Sequence, residues 1–266
     1  VRVLVVGAIH GNEPAGTAVV AALRRARPPA GTALWLIEDL NPDGAAHGTR
    51  QNARGVDLNR NWPDAWRAGG RPFDVYYGGR RPLSEPEALR AARFIRRLRP
   101  AVTVWYHQAL RLVDTGTVAD ARIPRRYARA TGLPARRLGF LPGVATRWQN
   151  HLLPGSSAFV VELPSGRLSR AAARRHARAV VSLLPLVRQS RAAGRLDVRR
   201  ARRRRVPGRR EEDRGDGAPE GVEPAGGGGE ADRAGEREGR AAEDRERRGG
   251  GDRALRMGQE RAGRSG

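Results

Sequence analysis

The chain has 266 residues, a formal net charge of +23 from 51 basic and 28 acidic side chains, and no cysteine. The absence of cysteine excludes disulfides and thiolate metal ligands, so any metal must be held by imidazole, carboxylate or water. All of the positive charge is arginine, scattered along helix faces without a nucleic-acid motif and with few interleaved aromatics; a nucleic-acid partner is therefore not expected, whereas an acidic substrate or a cell-wall polymer suits the charge.

Val1 to Gly7 is an apolar run broken only by Arg2, the pattern of a strand buried on both faces of a parallel sheet. Pro14 opens a helical stretch to about Ala26, and Thr32 to Ile37 reads as a second strand. The segment from Asp39 to Pro82, rich in Asn, Asp, Gly and Pro, is too long for an idle connection and is expected to be a functional loop. Ser84 with Glu87 forms a capping-box pattern before a helix over Ala88 to Leu98, and Ala101 to Tyr106 is a further strand.

Ala158 to Leu163 is another apolar strand, and Ser169 to about Val187 is helical, with Val180, Val181, Leu183, Leu184 and Val187 on one apolar face. Alternating strands and helices predict an α/β fold: a single domain over 1–187 with a mixed, mostly parallel central sheet flanked by helices. Residues 188–266 form a low-complexity tail rich in Arg, Glu and Gly with almost no large apolar side chains, and are expected to be disordered. No stretch reaches the ~20 apolar residues that span a bilayer, and the first residues do not read as a leader.

In Gly7-Ala8-Ile9-His10-Gly11-Asn12-Glu13 an imidazole and a carboxylate lie three residues apart between a strand and a helix, where both can face one point. A His-x-x-Glu pair can supply two ligands of a catalytic zinc site, but by itself it occurs by chance in exposed loops. Three further runs give it context: Asn41-Pro42-Asp43-Gly44, Gly48-Thr49-Arg50-Gln51-Asn52 and Gly55-Val56-Asp57-Leu58-Asn59-Arg60-Asn61. Two more stand at strand ends, Trp105-Tyr106-His107-Gln108 and Phe159-Val160-Val161-Glu162-Leu163-Pro164, the second placing a carboxylate in an otherwise apolar strand. Ligands of open α/β sheets gather at such carboxyl ends.

With these motifs, over about Val1 to Pro164, the sequence resembles the zinc metallocarboxypeptidases of the carboxypeptidase A type, and within them the small bacterial branch that includes murein peptide amidases. The resemblance implies one zinc ion held by His10, Glu13 and His107, with Asp57 accepting a hydrogen bond from the first ligand histidine. It implies Glu162 as general base toward the attacking water and then proton donor to the leaving amine, and Arg50 as the group that stabilises the developing oxyanion. Asn59 and Arg60 match the pair that holds the terminal carboxylate, a task a planar guanidinium suits. The implied partner is a peptide or muropeptide, and the implied reaction is hydrolysis of a peptide or isopeptide bond next to a free carboxylate, with the γ-D-glutamyl-diaminopimelate bond of cell-wall muropeptides as the candidate.

The sequence departs from the digestive enzymes of that family. No tyrosine lies between Tyr127 and Glu162, where those enzymes carry a mobile one. Arg147, near where the family sets side-chain preference, is expected to favour a carboxylate-bearing group. His151 is a further candidate for the pocket, whereas His47 and His176 are expected to be solvated. Family members have edge strands before the His-x-x-Glu strand, so the domain is expected to lack them, with any leader lying outside this chain and either a cytoplasmic or a secreted bacterial location open. An acylase of the same fold and a non-catalytic peptidoglycan-binding module remain as alternatives, and the sequence sets no oligomeric state.

Overall fold

The computed structural model describes residues 1–189; the tail expected from 188 onward lies almost entirely outside the described residues. Six strands form one sheet in the order β2-β1-β3-β6-β4-β5, where β1 is Arg2–Val6, β2 Ala33–Ile37, β3 Val102–Gln108, β4 Leu112–Asp114, β5 Ala135–Arg136 and β6 Ser157–Leu163. Every pairing is parallel except β4 with β6, so the sheet is mixed and mostly parallel, as the sequence predicts. It is flanked by α1 (Ala15–Leu23), α3 (Pro86–Leu98), α4 (Arg122–Thr131), α5 (Ala145–Leu152) and α6 (Arg170–Ser182); the short α2 (Pro42–His47) precedes α3 in the chain.

Strand alternation divides the core in two. Val3 and Val5 of β1 face one side, where Val19, Val20, Tyr106, Tyr127, Phe159 and Val180 pack. Leu4 and Val6 face the other, with Trp62, Ile95, Trp105 and Trp148. Both faces of β1, β3 and β6 are covered, which is why these strands read as mainly apolar runs without polar alternation.

Two local expectations change. The helix before β3 begins at Pro86, not Ala88, and Ser84 does not cap it: its hydroxyl donates to Glu85 Oε1 at 2.7 Å, and Glu85 is buried between Asn52 and Asn61. The long polar segment is also not structureless, since it contains α2 and a 3-10 turn over Leu58–Arg60. Among the described residues, no helix is long and apolar enough to cross a membrane.

Candidate active site

The carboxyl ends of β1, β3 and β6 converge on one cleft. His10 lies four residues past β1, in the turn leading to α1; His107 is the penultimate residue of β3; Glu162 is the penultimate residue of β6. The parallel register sets His107 directly beside Glu162. Gly11 lets the His10 turn sit against α2, because a Cβ there would lie 1.9 Å from the Gly44 carbonyl carbon.

His10 Nδ1 and His107 Nδ1 each lie 3.0 Å from Glu13 Oε2 and 3.2 Å from each other. In a tetrahedron with metal bonds of ~2.0–2.1 Å the edges measure ~3.3 Å, so this buried triangle closely matches one face of such a polyhedron. The three side chains can hold a metal ion. His10 Nε2 donates to Asp57 Oδ1 at 3.0 Å, which in the neutral ring leaves the lone pair on Nδ1, the atom facing the triangle. Burial works against protonation of His10, but hydrogen bonds to Asp57 and Glu13 outweigh it and raise its pKa.

Asp57 is fully buried and orders three neighbours. Besides His10, it accepts from Arg50 Nε at 3.0 Å and from the Asn59 backbone at 2.8 Å, the latter capping the 3-10 turn. Burial alone would raise its pKa; His10, Arg50 and Arg60 reverse that and bring it to about 2, so Asp57 is ionised at neutral pH. Arg50 also donates through Nη1 to Glu13 Oε1 at 2.9 Å, while no hydrogen bond engages its Nη2 among the described residues. Asn41 explains the Asn-Pro-Asp-Gly turn: its Oδ1 caps α2 through the Gly44 N–H, and its Nδ2 donates to the Arg50 carbonyl, tying α2 to the arginine.

These residues open into a cavity of about 310 Å³ lined by His10, Glu13, Arg50, Asn59, Arg60, His107 and Glu162. Asn59 Oδ1 accepts from the Ala145 N–H at 3.0 Å, leaving its amide nitrogen 3.5 Å from His107 Nε2. Arg60 is buried, and its guanidinium lies 4.8 Å from the ring centroid of exposed Tyr76. Glu162 receives only a long hydrogen bond, 3.4 Å, from the Leu110 N–H. Burial raises its pKa, with Glu13 adding to the shift and the two histidines opposing it.

The structure separates Arg147 and His151 from this group. Neither lines the cavity; both contact Asp64, Arg147 through Nε and His151 through Nδ1 at 2.8 Å, and the Arg147 guanidinium also stacks on Phe140. The expected solvation of His176 is corrected as well. It is buried and its Nδ1 shares a hydrogen bond of 2.7 Å with the Tyr127 hydroxyl, because its face of α6 packs on α4. His47 is exposed, as expected.

Sequence reasoning passed over Gln108, whose N–H donates to Glu13 Oε2 at 3.1 Å while its side chain clamps Ala15, Pro164 and Gly166. Its place beside His107 was the available signal. It also missed Tyr76 and Asp114 on the cavity wall, for which nothing local gave a sign.

A zinc carboxypeptidase family model matches residues 30–113, a span that holds Arg50, Asp57, Asn59, Arg60 and His107. Murein peptide amidase A of Escherichia coli strain K12 is 32% identical over 122 residues, which cover 42% of this chain and 50% of that protein. The chain thus spans about half the length of the curated relatives it matches. Among solved structures, the murein-tripeptide amidase of Escherichia coli O157 superposes with a TM-score of 0.57 at 28% identity, covering 69% of this chain and 80% of that one. Carboxypeptidase A of Helicoverpa armigera shares the fold, with a TM-score of 0.56 at 18% identity over 72% of this chain and 61% of that one. Residues 30–113 thus match zinc carboxypeptidases in sequence, and the described residues share the fold of these hydrolases and bring together a His-Glu-His triangle that could hold a metal ion.

Proposed function

We propose that this protein is a zinc-dependent peptide hydrolase that cleaves a peptide or isopeptide bond adjacent to a free carboxylate, with a muropeptide as the substrate class. The observation that carries the reading is the buried triangle of His10 Nδ1, Glu13 Oε2 and His107 Nδ1, with a fourth side free toward a cavity that also holds a separate carboxylate, Glu162. The similarity in sequence to a murein peptide amidase and in structure to a murein-tripeptide amidase supports the substrate class.

On this reading His10, Glu13 and His107 hold one zinc ion. When bound, zinc polarises the scissile carbonyl and lowers the pKa of water in the site. Arg60 and Asn59 take the terminal carboxylate of the substrate; the guanidinium is already largely desolvated, so a bidentate contact is strong. Arg50, fixed by Glu13 and Asp57 through two of its nitrogens, offers Nη2 to the oxygen on which negative charge develops. Glu162 takes a proton from water at one carboxylate oxygen and delivers it to the leaving amine, a double duty that a raised proton affinity serves.

Dialysis against a strong chelator is expected to abolish hydrolysis of a γ-D-glutamyl-diaminopimelate peptide, and stoichiometric zinc to restore it. Turnover that survives complete metal removal would overturn the proposal. A binding module that retains the site shape without turnover would give muropeptide binding and no product on long incubation with zinc; Arg50 Nη2, which no hydrogen bond engages among the described residues, and the Glu162 carboxylate, held only by the long bond from the Leu110 N–H, favour the enzyme.

A further inference from the structure

We propose that Asp114 selects substrates whose leaving residue carries an ammonium group at the end of an apolar stem. The inference rests on the hydrolytic reading above and adds the side-chain chemistry of the residue released.

Strand β4 runs antiparallel to β6 with Leu112 opposite Glu162 and Val113 opposite Val161. Because side chains alternate, Asp114 shares the face of Leu112 and continues the register opposite Val160, on the face that bears Glu162. Both Asp114 and Val160 line the cavity. Two residues of strand place the Asp114 position ~7 Å along the wall from that of Glu162. This stretch of wall also carries Val144, and the neighbouring Ala145 N–H is bound to Asn59 of the carboxylate-holding pair. A residue anchored there by its carboxylate has its side chain beside Asp114.

The surroundings of Asp114 are apolar, with Leu138, Leu141, Val144 and Val160 on the same cavity. Its Oδ1 accepts from the N–H groups of Gly116 at 2.9 Å and Leu138 at 3.0 Å, whereas Oδ2 has no hydrogen-bond partner among the described residues. One oxygen is therefore committed to holding the loop and the other is available to a ligand. Burial raises the proton affinity of this carboxyl, against the two backbone hydrogen bonds and Arg137. A carboxylate at the end of an apolar wall is best satisfied by a cation that arrives on a hydrocarbon stem. Lysine presents that chemistry, and diaminopimelate presents the same ammonium beside a second carboxylate; a side chain that is only acidic, or plain aliphatic, does not. The arginine that sequence alone offered for this role, Arg147, is held by Asp64 and points the specificity the opposite way.

The test uses the zinc-loaded full chain and three peptides with the same γ-D-glutamyl acyl part, ending in meso-diaminopimelate, lysine or norleucine. A charge-assisted hydrogen bond of this kind is expected to give the ammonium-bearing peptides a roughly 10- to 100-fold advantage in kcat/KM over norleucine, mostly through KM. Asp114→Asn keeps an oxygen for the Gly116 and Leu138 N–H groups and removes the charge, so the advantage collapses toward unity; Asp114→Glu restores part of it. A purely structural role for Asp114 would leave the ratio in Asp114→Asn intact. Equal turnover of all three peptides by the unaltered chain, or a preference that persists in Asp114→Asn, overturns this inference and leaves the hydrolytic reading standing. If none is cleaved, the hydrolytic reading fails, and calorimetry with free lysine against norleucine still decides: tighter lysine binding that Asp114→Asn removes supports the inference, and equal binding overturns it.

Discussion

Asp57→Asn separates the metal-orienting role of a buried acid from its bulk. The amide is nearly isosteric, and its oxygen can still accept from His10 Nε2 and the Asn59 N–H, the two donors now 3.0 and 2.8 Å from Oδ1. Its NH2 group must then face Arg50 Nε–H, 3.0 Å from Oδ2, donor against donor. The arginine is displaced toward solvent, and His10 keeps a hydrogen bond but loses an anionic partner. Loss of such a partner behind a ligating histidine lowers metal affinity roughly 10- to 100-fold, about 1.4 to 2.8 kcal/mol. Competition with a chromophoric chelator at neutral pH reads this directly, and thermal unfolding of the metal-free protein checks that the fold persists. Zinc affinity within about threefold of the unaltered protein, in a folded variant, would show that Asp57 does not govern how His10 binds.

Glu162→Gln is expected to lower kcat by roughly 10²- to 10⁴-fold while zinc affinity is retained, since Glu162 is not one of the triangle's three side chains; loss of zinc together with activity would reassign it as a ligand. His176 titrates within the acid stability profile. Burial first, and Arg175 second, lower its pKa to about 4 from 6.5. The unfolded chain therefore binds more protons between these values, so stability is complete above about pH 6.5 and declines as pH falls toward about 4. In urea unfolding across that range, His176→Phe should flatten this part of the slope; an unchanged slope would show that His176 is not its source.

How legible the molecule was in its sequence differs by segment. Strands β1, β3 and β6 announced themselves because both of their faces are buried and their runs are mainly apolar. The span from 110 to 153 did not. Strands β4 and β5 are three and two residues long, too short for alternation to register, and α4 carries arginine on its exposed face with a proline in its first turn. The buried Tyr127 on its inner face, with Tyr106 and His176, forms a chain of hydrogen bonds that no local pattern signals.

The sequence by itself determined which side chains could ligate a metal and which arginines and carboxylates stood in motif positions, because each lies within a few residues of a strand end or turn that local chemistry specifies. Only the tertiary structure decided their company. His10 and His107 meet across 97 positions, Arg147 is taken by Asp64 across 83, and Asp114 reaches the cavity through an antiparallel pairing with β6. Such contacts follow from sheet order and register, which depend on burying both core faces at once and so are not written in any one segment.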